Sequence, residues 1–183
     1  MQSRIPLTVC AWACLGLALL MPRADADVGV AAPEFSHRDA AEWLNSAPLD
    51  LAALRGQVVL LEVWAFDCWN CARSLPWLRT LTQNYAAATF RVIGVHTPEL
   101  AQERVRANVV AKVAELGVTW PVMLDTDMSY WQALGNRYWP AFYLLDRAGR
   151  VRAVFVGETH VGDAQALEIE RAIAALLAEA APS

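Results

Sequence analysis

The stretch of sequence that decides the fold runs from residue 58 to residue 75 and reads VVLLEVWAFDCWNCARSL. Its first seven residues are apolar except for Glu62, which is typical of a strand buried on both faces of a sheet. The residues from Cys68 onward follow a helical pattern, which we expect to continue to residue 85 with a kink at Pro76. A buried strand therefore leads into a helix, and two cysteines stand at the junction.

Those cysteines, Cys68 and Cys71, have the spacing of a redox site, because their sulfurs can meet across a single helical turn. Cys68 stands at the predicted helix N-terminus, where unpaired backbone N–H groups and the positive end of the helix dipole favour a thiolate. The thiolate is the attacking species in disulfide exchange. We therefore expect Cys68 and Cys71 to form a redox-active dithiol/disulfide pair.

Residues 1–26 have the order of a secretory signal peptide. Arg4 precedes an apolar run over residues 5–21, and residues 24–26 (Ala-Asp-Ala) offer a small-x-small cleavage site. This order predicts export to the periplasm or another extracytoplasmic space. The alternative is an uncleaved anchor in the inner membrane, because the run over residues 5–21 is at the lower limit of length for a membrane-spanning helix.

The remaining cysteines, Cys10 and Cys14, lie in this apolar run and would leave with a cleaved signal peptide. A single remaining pair at CxxC spacing is not a disulfide-stapled scaffold. Zinc sites and iron–sulfur clusters need more ligands than this pair supplies, and no second CxxC occurs. The sequence therefore predicts no bound metal.

The composition narrows the function classes further. The net charge is −4 and no basic run of five or more residues occurs, so nucleic-acid binding is not expected. The chain beyond residue 26 is long enough for one domain with a hydrophobic core. We expect residues 27–44 to be a lead-in, irregular over residues 27–38 and with a short element around Trp43-Leu44, and residues 45–180 to form that domain.

Helix and strand patterns alternate along the predicted domain. After the strand at 58–64 and the helix at 68–85, the pattern predicts a strand at 90–96, a helix at 99–116, a strand at 121–124, a helix at 129–136, hairpin strands at 141–145 and 151–156, and a helix at 163–179. This order predicts an α/β fold in which helices cover both faces of a mixed β-sheet.

Several separate motifs resemble the thioredoxin-like superfamily. They are the approach to the dithiol over residues 62–68, Pro76 five residues after Cys71, and Trp139-Pro140 before a hairpin strand. Residues 94–99 and 136–141 look most like the exported, TlpA-like thiol-disulfide oxidoreductases, and residues 45–178 resemble the soluble domain of DipZ-type proteins. The resemblance implies a thioredoxin fold for the domain at 45–180.

The resemblance also implies a role for each site residue. Cys68 would attack a partner disulfide, and Cys71 would resolve the resulting mixed disulfide. Pro140 would be the cis-proline that faces the dithiol. Burial in an apolar strand should raise the pKa of Glu62, which could then exchange a proton with Cys71 through water. Glutamate stands here where the family more often has aspartate.

The sequence also suggests where aromatic and charged residues near these motifs lie. We expect Trp69, between the cysteines, to be exposed and to form an apolar substrate-docking surface with Trp139. His96 is expected to be a solvated loop histidine. Asp67 and Arg73 are expected to be surface charges.

The partners that the resemblance implies are proteins with disulfides. A membrane thiol relay of the CcdA or DsbD type would supply electrons, with the chain acting more as a reductant than as an oxidant and without a bound cofactor. Two alternatives stay open. A metallochaperone of thioredoxin fold would hold Cu(I) between Cys68 and Cys71, and Thr97-Pro98 superficially resembles the loop of a peroxidase, although no cysteine follows it.

Overall fold

The computed structural model describes residues 28–180 of the chain. The expected signal peptide or anchor over residues 1–26, including Cys10 and Cys14, lies outside the described residues. Between residues 28 and 180, no helix has both the length and the apolar character that a membrane crossing requires.

Strands and α-helices alternate through most of residues 28–180. The strands are β1 (Trp43–Leu44), β2 (Val58–Trp64), β3 (Phe90–His96), β4 (Val122–Leu124), β5 (Ala141–Leu145) and β6 (Val151–Val156). The α-helices are α1 (Trp69–Asn84), α2 (Arg106–Glu115), α3 (Ser129–Ala133) and α4 (Ala164–Ala178). Short 3-10 helices cover Ala40–Glu42 and Ala101–Arg104.

The strands form one mixed sheet in the order β1-β4-β3-β2-β5-β6. Strands β2, β3 and β4 run parallel to one another, while β1, β5 and β6 pair antiparallel with their neighbours. Strand β2 is central, and Glu62 pairs with Gly94 on one side and with Phe142 on the other. The predicted α/β fold with a mixed sheet is confirmed.

Side chains that alternate along the strands build a separate core on each face of the sheet. Leu60 and Trp64 of β2 face helices α1, α2 and α4. Leu61 and Val63 face the opposite side, which α3 and the segment before β2 cover. All seven residues of β2 are buried, as expected for a strand covered on both faces.

The helix predicted at 99–116 is shorter than expected. A 3-10 helix covers Ala101–Arg104, Val105 is extended, and α2 begins only at Arg106. The Glu103 carboxylate accepts hydrogen bonds from the backbone N–H groups of Glu99 and Leu100, which fixes this segment in a turn. Val105 is 50% exposed, so its helical spacing with the buried valines of α2 was misleading.

The expected irregular lead-in contributes to the sheet. Trp43 and Leu44 form strand β1, which pairs with β4 at the edge of the sheet. Phe35 and Trp43 are buried in the core and contact each other edge to face, with ring centroids 5.4 Å apart. The lead-in therefore covers the sheet face opposite α1.

Candidate active site

The two cysteines lie at the N-terminus of α1, where β2 ends, and they form a disulfide with a Cα–Cα distance of 5.2 Å. Cys68 is the N-cap of the helix, and its Sγ accepts a hydrogen bond of 3.3 Å from the backbone N–H of Cys71. Cys68 is 8% exposed, whereas Cys71 is fully buried. A partner can therefore approach the sulfur of Cys68 more readily, and the N–H groups of the first turn favour a thiolate there.

Glu62 lies in the middle of the sheet on the face that α1 covers. It is fully buried, two positions from Leu60 and Trp64 of the core that contains Cys71. Burial raises the pKa of Glu62 from 4.5 to about 8, although the indole N–H of Trp120 partly opposes this rise. The Trp120 N–H nevertheless does not reach hydrogen-bond geometry with either carboxyl oxygen. A carboxyl in this state is protonated at neutral pH and able to exchange its proton.

His96 is not the solvated loop histidine that we expected. It is the last residue of β3, it pairs with Trp64 across the sheet, and it is 1% exposed. Its ring contacts Trp64 edge to face and stacks on Phe66, with centroid distances of 5.3 Å and 5.6 Å. Burial lowers the pKa of His96 to about 4, so the ring is neutral at physiological pH. The expectation was wrong because Trp64 and Phe66 cover the end of β3, and Thr97 after it is buried as well.

A buried carboxylate that sequence reasoning missed anchors the loop before Cys68. Glu103 is 1% exposed, and its Oε1 accepts a hydrogen bond of 2.9 Å from the backbone N–H of Asp67. Its Oε2 accepts bonds of 2.7 Å from Glu99 and Leu100. The side chain of Glu103 therefore ties the loop after β3 to the loop that carries the reactive cysteine. No local pattern indicated this role, because Glu103 falls within an apparently helical segment.

The Trp139–Pro140 peptide bond is cis, as the resemblance implies. The indole of Trp139 is half-buried, packs on Trp131 with a centroid distance of 4.1 Å, and donates its N–H to the carbonyl of Thr97 at 3.0 Å. Trp69, by contrast, is 73% exposed. Trp69 is thus available to a partner as expected, whereas Trp139 is anchored by Trp131 and Thr97.

A second missed carboxylate supports this loop. Asp125 is fully buried, accepts the hydroxyl of Thr97 at 3.0 Å, and accepts the backbone N–H groups of Tyr130 and Trp131 at 2.9 Å each. The same carboxylate bonds to His37 at 3.2 Å. Asp125 therefore holds in place Thr97 and Trp131, the two residues that contact the Trp139 indole.

His37 connects the N-terminal segment to this network. It lies between Glu42, at 2.9 Å, and Asp125. Burial alone would lower the pKa of His37, but the hydrogen bonds with the two carboxylates outweigh burial and raise it. Among the described residues, His37, Asp125 and Asp127 have ligand atoms close enough to hold a metal. Their hydrogen bonds to one another and to the backbone already account for this geometry.

The remaining charges beside the dithiol are paired at the surface, as expected of surface charges. Arg73 is half-exposed and forms an ion pair of 3.0 Å with Glu158. Asp67 is exposed and accepts a hydrogen bond of 3.0 Å from Gln102. His160, for which the sequence indicated no role, also contacts Glu158.

Two named proteins are similar to this chain in sequence. The chain is similar to the protein DipZ of Mycobacterium bovis, with 46% identity over 119 residues, which are 63% of this chain but only 17% of DipZ. It is also similar to the thiol-disulfide oxidoreductase ResA of Geobacillus thermodenitrificans, with 27% identity over 71% of this chain and 70% of ResA. The chain thus spans less than a fifth of the length of DipZ.

Solved structures agree with these relatives. The structure of the thioredoxin-like superfamily protein SPOA0173 matches with a TM-score of 0.69 and 29% identity, over 84% of this chain and 99% of that one. The family model described as Redoxin matches residues 27–170, which include both cysteines, Glu62 and the cis-proline. The chain therefore belongs to the Redoxin family, within the thioredoxin-like fold.

Proposed function

We propose that the chain is an exported protein thiol-disulfide oxidoreductase that acts through Cys68 and Cys71. The observation that carries this proposal is the asymmetry of the disulfide: Cys68 caps the helix and is reachable at the surface, whereas Cys71 is fully buried one turn further in. The sequence similarity to a relative named as a thiol-disulfide oxidoreductase supports the same activity.

The reaction begins from the dithiol form. The Cys68 thiolate attacks one sulfur of a partner disulfide, an S–S bond forms between the two proteins, and the partner's other sulfur leaves as a thiolate. The Cys71 thiolate then attacks Cys68 and releases the partner's second sulfur. The partner gains two electrons and becomes a dithiol, while Cys68 and Cys71 become a disulfide.

In its ionised form, which is the minor form at neutral pH, Glu62 is the proton acceptor in the second step. Cys71 must lose its proton before it attacks, and this sulfur is fully shielded from solvent. Glu62 is buried on the same face of the sheet, and its pKa of about 8 is near that of a free thiol, ~8.5. A transfer between groups of similar pKa costs little in either direction, so the same residue serves reduction and oxidation.

The partner docks over the surface that surrounds Cys68. Trp69 offers an exposed aromatic side chain next to the nucleophile. Trp139 offers a second aromatic, held rigidly by Trp131 and Thr97, beside Pro140. An apolar segment next to the partner disulfide suits this surface.

The acidic groups next to Cys68 favour a reductant, since the Arg73 cation is paired with Glu158. Asp67 directly precedes Cys68, and the buried Glu103 carboxylate lies 2.9 Å from the backbone nitrogen of Asp67. Negative charge beside a thiolate destabilises it and therefore destabilises the dithiol form relative to the disulfide. A membrane thiol relay of the CcdA or DsbD type would re-reduce the chain outside the cytoplasm, with residues 1–26 as signal peptide or residues 5–21 as anchor.

Capture of the partner tests the proposal in the native host. With Cys71→Ser in the full chain, we expect partner proteins to stay linked to Cys68 by a bond that dithiothreitol breaks. The matched control Cys68→Ser, Cys71→Ser should capture none. Absence of linked proteins, together with stoichiometric Cu(I) binding by the reduced chain and no disulfide turnover, would contradict the proposal and support the metallochaperone.

A further inference from the structure

The core around Glu62 holds several buried polar atoms that have no hydrogen-bond partner among the described residues. They are both carboxyl oxygens of Glu62, the indole N–H groups of Trp64 and Trp120, and Nε2 of the neutral His96 ring. Folded proteins leave few buried polar groups unpaired. One acid and two N–H donors in the same region therefore point to an arrangement that serves a function.

The indole N–H groups of Trp64 and Trp120 lie close to Gly94, the residue of β3 that pairs with Glu62. Gly94 pairs with Glu62 across the parallel strands β2 and β3, which lie ~4.8 Å apart in such a ladder. A Cβ atom at Gly94 would stand 2.9 Å from Nε1 of Trp64 and 3.5 Å from Nε1 of Trp120. The Trp64 N–H thus occupies space that a side chain would need, while the Trp120 N–H lies at van der Waals distance from it. The backbone of Gly94 is not in the left-handed region, so space rather than conformation requires glycine here.

Among residues 28–180, no charged side chain faces the Glu62 carboxyl from the elements around it. The adjacent strands place Gly94 and Phe142 beside it. Helix α1 contributes Cys71, which is in a disulfide, and the neighbouring position on this face of β3 is His96, which is neutral. Helices α2 and α4 contribute apolar side chains to this core, Val109, Val113, Ile169 and Ile173. The Trp120 N–H is the group that opposes the effect of burial on this carboxyl.

We propose that Trp120 and Gly94 are positioning residues that set the proton affinity of Glu62. The Trp120 N–H presents its positive end to the carboxyl and stabilises the carboxylate, with the Trp64 N–H as a second donor. The missing side chain at Gly94 leaves room for the indole edge of Trp64. The functional meaning of this inference rests on the proposed proton transfer from Cys71 to Glu62.

The test is a direct titration of Glu62 in the oxidised full chain, where neither cysteine titrates. Carbon-13 NMR of labelled glutamate carboxyls follows the protonation of Glu62, which Glu62→Gln identifies. In Trp120→Phe we expect Glu62 to bind its proton about tenfold more tightly, a rise of one pKa unit. In Gly94→Ala we expect a rise as well, because the new Cβ would displace the indole edge of Trp64, the second donor. The control Trp77→Phe removes an equally buried indole whose N–H bonds to Glu170, and it should leave Glu62 unchanged.

An unchanged or lowered pKa of Glu62 in Trp120→Phe, or an equal rise in Trp77→Phe, would overturn the inference. If Trp120→Phe does not fold, the pKa of Glu62 in Gly94→Ala tests the inference. An unchanged or lowered pKa of Glu62 in that variant would overturn it. The pH dependence of disulfide reduction is measured on the same variants and should move alkaline together with Glu62. If the titration of Glu62 moves but the pH dependence of reduction does not, the proposed role of Glu62 fails while the inference about Trp120 and Gly94 stands.

Discussion

Glu62 makes the stability of the oxidised chain depend on pH in a direction opposite to that of most carboxylates. Its pKa is about 8 in the folded chain against 4.5 for an unperturbed glutamate, so between these values only the unfolded chain releases the proton. Ionisation therefore favours unfolding increasingly as the pH rises from 4.5 to 8. The full effect is roughly 5 kcal/mol at ~1.4 kcal/mol per pKa unit.

We predict that Glu62→Gln removes this dependence. The free energy of unfolding of the variant, relative to the natural chain, should rise by several kcal/mol between pH 5 and pH 9. Urea unfolding of both oxidised proteins at a series of pH values measures the difference. A difference that stays constant across this range would mean that Glu62 is ionised in the folded chain at neutral pH.

At the scale of single residues, the sequence indicated Glu62 but not Glu103 or Asp125. A lone acid in an apolar strand stands out, because strand burial follows from the neighbours on both sides. Glu103 lies in a segment predicted to be helical and Asp125 in a polar loop, and in both settings an acid is usually solvated. Their burial depends on backbone N–H groups that converge from distant parts of the chain, which a local pattern does not reveal.

At the scale of elements, the N-terminus of α1 and the loop before it act as one unit. Helix α1 supplies N–H groups to Cys68, and Glu103 holds the preceding residue from the loop after β3. We predict that Glu103→Gln destabilises the fold by about 1–3 kcal/mol, because an amide cannot accept all three backbone N–H groups. Urea unfolding at pH 6 checks this value.

The same substitution should change the chemistry of Cys68. Removing the negative charge of Glu103 should lower the pKa of the Cys68 thiol by about one unit and make the chain a weaker reductant. The pH dependence of iodoacetamide alkylation in Cys71→Ser measures that pKa. The control Glu99→Gln removes an exposed acid of the same loop whose side chain holds no backbone group; an equal effect there would show that Glu103 does not act through its position.

The bounds of most strands and helices could be predicted because hydrophobic periodicity reports burial. Strands β2, β3, β5 and β6 begin and end at the predicted residues. Periodicity failed for the segment 99–105, where the side chain of Glu103 replaces helical hydrogen bonds. It also gave no strand at Trp43–Leu44, because a two-residue edge strand is too short to show alternation.

At the scale of the whole molecule, three buried groups together fix the pH of greatest stability. His96 has a lowered pKa of about 4, so stability falls as the pH drops from 6.5 toward 4, where only the unfolded chain is protonated. His37 has a raised pKa, so its contribution is complete below 6.5 and is lost as the pH rises through the folded value. The raised pKa of Glu62 likewise makes the folded chain more stable below neutral pH than above it.

We therefore predict a maximum of stability for the oxidised chain between about pH 5 and pH 6.5. Urea unfolding from pH 4 to pH 9 locates it. A maximum at pH 8 or above would contradict the raised pKa of Glu62, and a maximum below pH 4 would contradict the lowered pKa of His96. The thioredoxin-like fold was predictable from the dithiol, its strand and the order of elements, but the location of this maximum depends on His96, whose burial the sequence did not indicate.

The most direct test of the central claim is the reaction of the reduced, purified full chain with the disulfides of insulin. We predict that the natural chain reduces insulin and becomes oxidised, that Cys71→Ser stops at a mixed disulfide through Cys68, and that Cys68→Ser forms no adduct. Mass spectrometry of the quenched reactions identifies the linked cysteine. An adduct through Cys71 in the Cys68→Ser chain, or complete insulin reduction by Cys71→Ser, would contradict the assignment of Cys68 as nucleophile and Cys71 as resolving residue.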